Sequence, residues 1–217
     1  MPDAAHKATL SSFFTGKFVS QVKGECGHIS AQTEAFTDVS ITVKNKASLQ
    51  DSLDEFVQGE PMQGANKYRC HSCDPDEGGR LVNAMKRTCL EETPDSLTFC
   101  LKRFTFEAMM GMEGKANDRF DFPASIDMAR YQRAYLENPQ AEFQPDMFDL
   151  VGVIVHQGTL EYGHYWSYVR LGNAAEPAHW VRLEDKHVQV CHGVADVQAL
   201  CSGGLFYNNG SERSDNA

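Results

Sequence analysis

No stretch of the 217 residues approaches the roughly 18 uninterrupted apolar residues that a membrane-spanning helix needs. The opening residues, MPDAAHKATLSSFF, lack the basic-then-apolar order of a secretory signal, so neither secretion nor membrane attachment is expected. Positive charge is in deficit: 20 Lys and Arg against 30 Asp and Glu leave a net charge of −10. A surface of that sign repels phosphates, so nucleic acid is not an expected partner, whereas a basic peptide or protein is tolerated. There is no internal repeat. An even cysteine count is also missing, since there are seven. Without a secretory signal, the Cys-x₂-Cys of CHSC (70–73) reads as metal ligation sooner than as a disulfide framework. The expected compartment is the cytoplasm, with the nucleus also open.

What is present is an ordinary globular balance, 41% hydrophobic and 23% charged residues, on a chain long enough to bury a core. Val39, Ile41 and Val43 alternate with polar residues over 35–45, the period of a half-buried strand. Leu49, Leu53, Phe56 and Val57 follow at helical spacing, with Ser48 and Asp51 placed as a capping box. DPDEGGR (74–80) is a turn cluster, after which LVNAMKRTCLEE reads as a strand running into a loop. SLTFCLKRFTFE (96–107) alternates again through Leu97, Phe99 and Leu101. The Gly- and Met-rich 108–118 has no period and reads as a surface loop. MFDLVGVIVHQG, HYWSYVRL and HWVRLED form an antiparallel meander. LCSGGLFYNNG reads either as a last strand or as the start of an insertion, and NGSERSDNA as a disordered tail. The fold class is therefore α+β, dominated by antiparallel sheet.

A structural zinc needs four soft or borderline ligands gathered from two short knuckles. Cys70 and Cys73 supply one. GECGHIS offers Cys26 and His28, which project to one side of an extended segment. Two buried thiols and a surface histidine are the blander alternative. Adding Cys26 and His28 favours Zn2+, and no βαβ pattern surrounds CHSC to suggest a redox motif. Along the meander, a hairpin between 164–171 and 179–185 sets His164 nearly opposite residues 184–186. Glu184 or Asp185 then accepts the Nδ1 proton of His164, which is two thirds of a nucleophile–base–orienter triad.

SSFFTGKF, ECGHISAQTEAFTDVSITV, SLQDSLDEFVQGEPMQGANKYRCHSC, LTFCLKRFTF, FDFPASIDMARY, LVGVIVHQGTLEYGHYWSYVR and HWVRLEDKHV follow one another in a familiar order. From about Ser12 to Val190 the chain resembles the ubiquitin-specific proteases, papain-like cysteine hydrolases that cut after the C-terminal glycine of ubiquitin, and in particular their fat-facets branch. The resemblance implies a zinc-bearing fingers subdomain with linking palm strands over 1–115, a papain-like palm over 116–208, and a tail over 209–217. It implies His164 as the catalytic histidine, Glu184 as the third triad residue and Asp185 as a neighbouring acid. It implies Gly158, Gly163 and Tyr165 along the channel for the tail of ubiquitin. Its implied partners are ubiquitin and ubiquitinated proteins.

Three departures stand out. The family has Asp or Asn where Glu184 stands. Lys23 occupies the place of the usual first finger cysteine, and Cys26-x-His28 resembles the fat-facets variant of that knuckle. The Gly-rich cysteine box that carries the nucleophile, with its thumb subdomain, has no counterpart before Cys26; Cys89, Cys100, Cys191 and Cys201 read as core or neutral thiols. The expected function is thus a deubiquitinating thiol protease present as a partial catalytic domain, inactive alone. A catalytically dead ubiquitin-binding module is the alternative, and a zinc-stabilised interaction domain without a ubiquitin role is the third reading.

Overall fold

The structure, a computed structural model, describes residues 11, 13–107, 112–159, 161–172, 179–191, 197 and 202–209. Strand β1 (Gly16–Gly24) turns through residues 24–28 into β2 (Ile29–Phe36), with Gly27 at φ 86 closing the turn that carries Cys26 and His28. β3 (Val39–Thr42) follows, then α1 (Leu49–Phe56), then the short β4 (Glu60–Met62), β5 (Tyr68–Cys70) and β6 (Arg80–Val82). β7 (Ala84–Glu92) and β8 (Ser96–Lys102) are nearly continuous, and β9 (Phe104–Glu107) pairs with β10 (Met112–Lys115). After β11 (Ser125–Asp127) and α2 (Arg133–Glu137) come β12 (Met147–Gly158), β13 (Gly163–Leu171), β14 (His179–Glu184), β15 (His187–Cys191) and β16 (Ser202–Asn209).

Two sheets organise these strands. A four-stranded antiparallel sheet runs β2-β1-β7-β4, with the β5–β6 hairpin at its end, and these are the fingers. The large sheet runs β15-β14-β13-β12-β16-β8-β3, with β11 paired to β12, and this is the palm. Among the described residues its one parallel strand pairing is β3 with β8. Chain order and sheet membership are therefore not the same: β3 and β8 lie within the first half of the chain yet belong to the palm. Gln21 of β1 donates from Nε2 to Glu137 Oε1 of α2 at 2.8 Å, which ties that helix to the four-stranded sheet.

The core lies on one face of the large sheet. The alternating Leu97, Phe99 and Leu101, Val39 and Ile41, Leu150, Val153 and Val155, Leu205 and Tyr207 all bury there, closed by Leu49 and Leu53 of α1. Helix α1 begins as its sequence requires: Ser48 Oγ accepts from Asp51 N at 3.2 Å, a cap worth about 1 kcal/mol. Tyr207 is fully buried and donates to Pro123 O at 2.7 Å, satisfying its hydroxyl.

Three sequence expectations need correction, and one open alternative closes. LVNAMKRTCLEE is not a strand running into a loop but the end of β6 followed by the nine-residue β7, in which Lys86 and Arg87 stand between the buried Ala84 and the buried Cys89 and Leu90. Within the expected surface loop, residues 112–115 form β10, while 108–111 lie outside the described residues. Of LCSGGLFYNNG, left open between a last strand and an insertion, SGGLFYNN (202–209) forms a strand, β16, in the interior of the large sheet, and Asn209 belongs to it rather than to the tail. The rest of the expected tail, 210–217, lies outside the described residues, as does Cys201.

Candidate functional site

The β12–β13 and β13–β14 registers build the first site. Gln157 pairs with His164, and Ser167 through Leu171 pair with Leu183 back to His179. Because neighbouring strands share side-chain direction at paired positions, His164, Trp166, Arg182 and Glu184 fall on one face. Glu184 Oε1 lies 2.8 Å from His164 Nε2. An ionised carboxylate only accepts, so Nε2 carries the proton of a neutral imidazole and Nδ1 keeps its lone pair. The expectation had assigned the acid to Nδ1; the rotamer of His164 turns the other nitrogen towards it. Asp185 opens the two-residue turn between β14 and β15 with φ 48, so the strand's alternation stops before it, and Glu184 is the acid that reaches the ring. The imidazole side chain is 46% exposed, so one edge is supported and another is open to an incoming group.

Two residues here carried no sequence signal of their own. The second oxygen of Glu184, Oε2, lies 2.5 Å from Arg182 Nη2, and the Arg182 guanidinium sits 5.0 Å over the Trp166 ring. Trp166 in turn has its ring centroid 6.0 Å from that of His164. The period-2 spacing from His164 to Trp166 and from Arg182 to Glu184 was the only available hint.

On the opposite face of the hairpin stands a second histidine. His156 pairs with Tyr165, is 9% exposed, and has ring contacts to Tyr165 at 4.5 Å and Phe104 at 5.5 Å. Desolvation, reinforced by the charge of Lys115, holds its imidazole below the ordinary histidine value. Lys115 Nζ donates to the carbonyls of His156 (2.9 Å) and Gly158 (3.2 Å), fastening β10 to the end of β12. Gly163 and Gly158 are accounted for locally. A Cβ on Gly163 would stand 1.8 Å from His156 Nε2, and one on Gly158, at φ 128, would stand 2.3 Å from Tyr162 O. Tyr165 lies on this face, turned away from His164, with more than half its surface exposed.

The second site is at the end of the fingers. The ligand atoms of Cys26, His28, Cys70 and Cys73 all lie within 4.8 Å of one another. Cys26 Sγ is 3.7 Å from Cys70 Sγ, and His28 Nδ1 is 3.6 Å from Cys70 Sγ and 3.5 Å from Cys73 Sγ. A tetrahedron with metal–sulfur bonds near 2.3 Å has edges of roughly 3.8 Å between sulfurs and slightly less from sulfur to nitrogen. The donor set fits a four-coordinate zinc with no open position. The backbone N–H of His28 pulls the Cys26 thiol down to about 6, while its hydrogen bond with Cys26 pushes Cys73 up to about 11. Adjacent thiols share charge unevenly until a cation stands between them.

The other described cysteines are placed differently. Cys89 is in the core, Cys100 is exposed on β8 and Cys191 ends β15, and burial pushes the thiols of Cys89 and Cys100 up, towards the neutral form.

The family model "Ubiquitin carboxyl-terminal hydrolase" matches residues 2–207. The chain belongs to this family. Among its relatives, a probable ubiquitin carboxyl-terminal hydrolase FAF of Drosophila melanogaster is 32% identical over 224 residues, and ubiquitin carboxyl-terminal hydrolase 9Y of Mus musculus is 33% identical over 233. These alignments cover 95% and 94% of this chain but only 8% and 9% of the two relatives, so the chain spans less than a tenth of their length. In fold it is similar to a chain of the SAGA Ubp8/Sgf11/Sus1/Sgf73 DUB module solved bound to ubiquitin aldehyde. The TM-score is 0.79 at 23% identity, over 92% of this chain and 42% of that one. The ubiquitin carboxyl-terminal hydrolase fold, mostly antiparallel with few helices, is thus what the strands described above assemble.

Proposed function

We propose that these residues supply the fingers and palm of a deubiquitinating cysteine protease, with His164 as its general base and acid and Glu184 as the orienter of the ring. The observation that carries this reading is the 2.8 Å contact of Glu184 with Nε2, which leaves Nδ1 of a half-exposed ring to serve as the base. A thiol brought to that edge gives its proton to Nδ1, and the thiolate attacks the carbonyl carbon of the last glycine of ubiquitin. The imidazolium then protonates the leaving amine as the carbon–nitrogen bond breaks, and a water deprotonated by the same nitrogen opens the thioester. We assign the nucleophile to a segment outside these 217 residues, because the described cysteines sit in the zinc cluster, the core and strands away from His164.

Cys26, His28, Cys70 and Cys73 would hold one Zn2+ in a purely structural role, closing the tip of the fingers that grip the body of ubiquitin. The loop around Gly158 and Gly163 would border the passage for the tail of ubiquitin.

The test is reconstitution. Residues 1–217 alone should bind ubiquitin weakly and should neither cleave a ubiquitin–fluorophore conjugate nor react with a thiol-trapping ubiquitin probe. Reunited with a cysteine-box segment from the parent protein they should cleave, and His164→Ala should abolish that cleavage. Strong probe labelling of residues 1–217 alone would overturn the assignment.

A further inference from the structure

Glu184 is one methylene longer than the Asp or Asn that the resemblance leads one to expect, and it stands at the last position of β14 before a turn. A Glu has one more free torsion than an Asp, so a glutamate held only by an imidazole would visit rotamers in which the ring has no acceptor. In this protein it is held twice. Oε1 meets His164 Nε2 at 2.8 Å, and Oε2 meets Arg182 Nη2 at 2.5 Å. Arg182 and Glu184 are two apart on one strand, so their stems run side by side on the same face.

The guanidinium is itself fixed. Its Cζ lies 5.0 Å from the centroid of the Trp166 ring, a cation–π contact, and Trp166 stands on β13 between His164 and the buried Tyr168. Among the described residues, Arg182 Nε and Trp166 Nε1 are buried without a hydrogen-bond partner, so the head group is positioned by the ring beneath it and the carboxylate in front of it.

We propose that Arg182, seated on Trp166, is the positioning residue that aims Glu184 at His164 and compensates for the extra methylene of the glutamate. It touches neither the thiol nor the substrate. It fixes one carboxylate oxygen so that the other stays against Nε2, and so keeps Nδ1 as the free base nitrogen. The inference rests on the reading of His164 and Glu184 as the catalytic pair, and its test separates the two.

The chain is labelled with ¹⁵N-histidine and the ring nitrogens of His164 are assigned by their loss in His164→Gln. A ring locked in one tautomer shows a protonated and an unprotonated nitrogen far apart, and tautomer exchange draws the two signals together. Arg182→Met keeps an apolar stem over Trp166 and removes the charge and the fork; its His164 signals should draw together relative to the parent. Arg182→Lys, which retains a cation in reach of Oε2, should restore most of the separation. Should Arg182→Met not fold, Arg182→Gln is judged by the same criterion. Parent-like separation in that variant, or equal narrowing in Arg182→Lys, overturns the inference. Glu184→Ala tells the levels apart: if it narrows the signals while Arg182→Met does not, only the role of Arg182 falls. If neither moves them, the pairing of His164 with Glu184 falls too.

Discussion

At the end of the fingers, the three-residue β5, the turn after it and the turn between β1 and β2 carry the clustered Cys26, His28, Cys70 and Cys73, and of the residues from 68 to 82 only Cys70 and Val82 are buried. In the palm, Leu97, Phe99, Leu150, Val153, Leu205 and Tyr207 are all within 1% of full burial on one continuous face. The tip has too little apolar surface to offset the ordering of its chain, so it needs a cross-link; the palm has enough area that burial alone suffices. With a metal on the four clustered side chains, one molecule would use coordination chemistry where it is thin and packing where it is thick. The difference predicts two kinds of fragility.

The largest expected effect is at the tip. Cys70→Ser removes a ligand at the centre of the cluster, and structural zinc in small finger peptides is worth on the order of 10–16 kcal/mol. Metal analysis should show loss of stoichiometric zinc, and hydrogen exchange should show residues 68–82 opening while β8, β12 and β16 keep their protection. If the palm strands open equally, the two regions are not independent and the comparison breaks.

Next comes the palm. Phe99→Ala empties a buried site between β16 and β3 and should cost about 3–5 kcal/mol in denaturant unfolding. Zinc content in the folded fraction should not change.

A smaller effect is expected where the palm is tight rather than large. Gly163→Ala places a methyl 1.8 Å from His156 Nε2 in a ring held between Phe104 and Tyr165, and should cost about 1–3 kcal/mol. His156→Ala should relieve most of that cost, so the double variant should be more stable than the two separate losses predict. Additivity would show that the ring had moved aside freely.

The smallest effect is the acid response of His156. Burial lowers its proton affinity in the folded protein, so from about pH 6.5 downward the unfolded chain holds a proton that the folded one does not. Stability should fall with falling pH until the lowered folded value is passed, then level off. His156→Gln should flatten this part of the profile, read as the difference between the two proteins at equal zinc. An unchanged difference would remove His156 from the acid response.

Much of this was legible in the sequence because it is local or periodic. Alternation placed Leu97, Phe99 and Leu101 in the core, Ser48 and Asp51 marked the start of α1, and Cys-x-His with Cys-x₂-Cys named the cluster that the fold brings together. β2 gave no periodic signal, since seven of its eight residues are exposed and an edge strand has no buried face to write a pattern. β7 was obscured by Lys86 and Arg87 in the run leading to Cys89 and Leu90. The choice between Nδ1 and Nε2 of His164 is a rotamer, and the bridge from Arg182 to Glu184 depends on where Trp166 sits; neither has a period. The position of β16 between β12 and β8 is a matter of topology, which no local window contains.

That position has a consequence in time. Among the described residues β16 is the last strand, and it is the fifth in the seven-strand row, with β12 on one side and β8 on the other. Until residues 202–209 are made and free to move, the palm is two separate half-sheets, β3–β8 and β12–β15, each with an open edge ready to pair with the wrong strand. The contact of β8 with β16 spans about a hundred residues, so closure is a late and slow step, and the half-sheets are the species most prone to aggregate during synthesis.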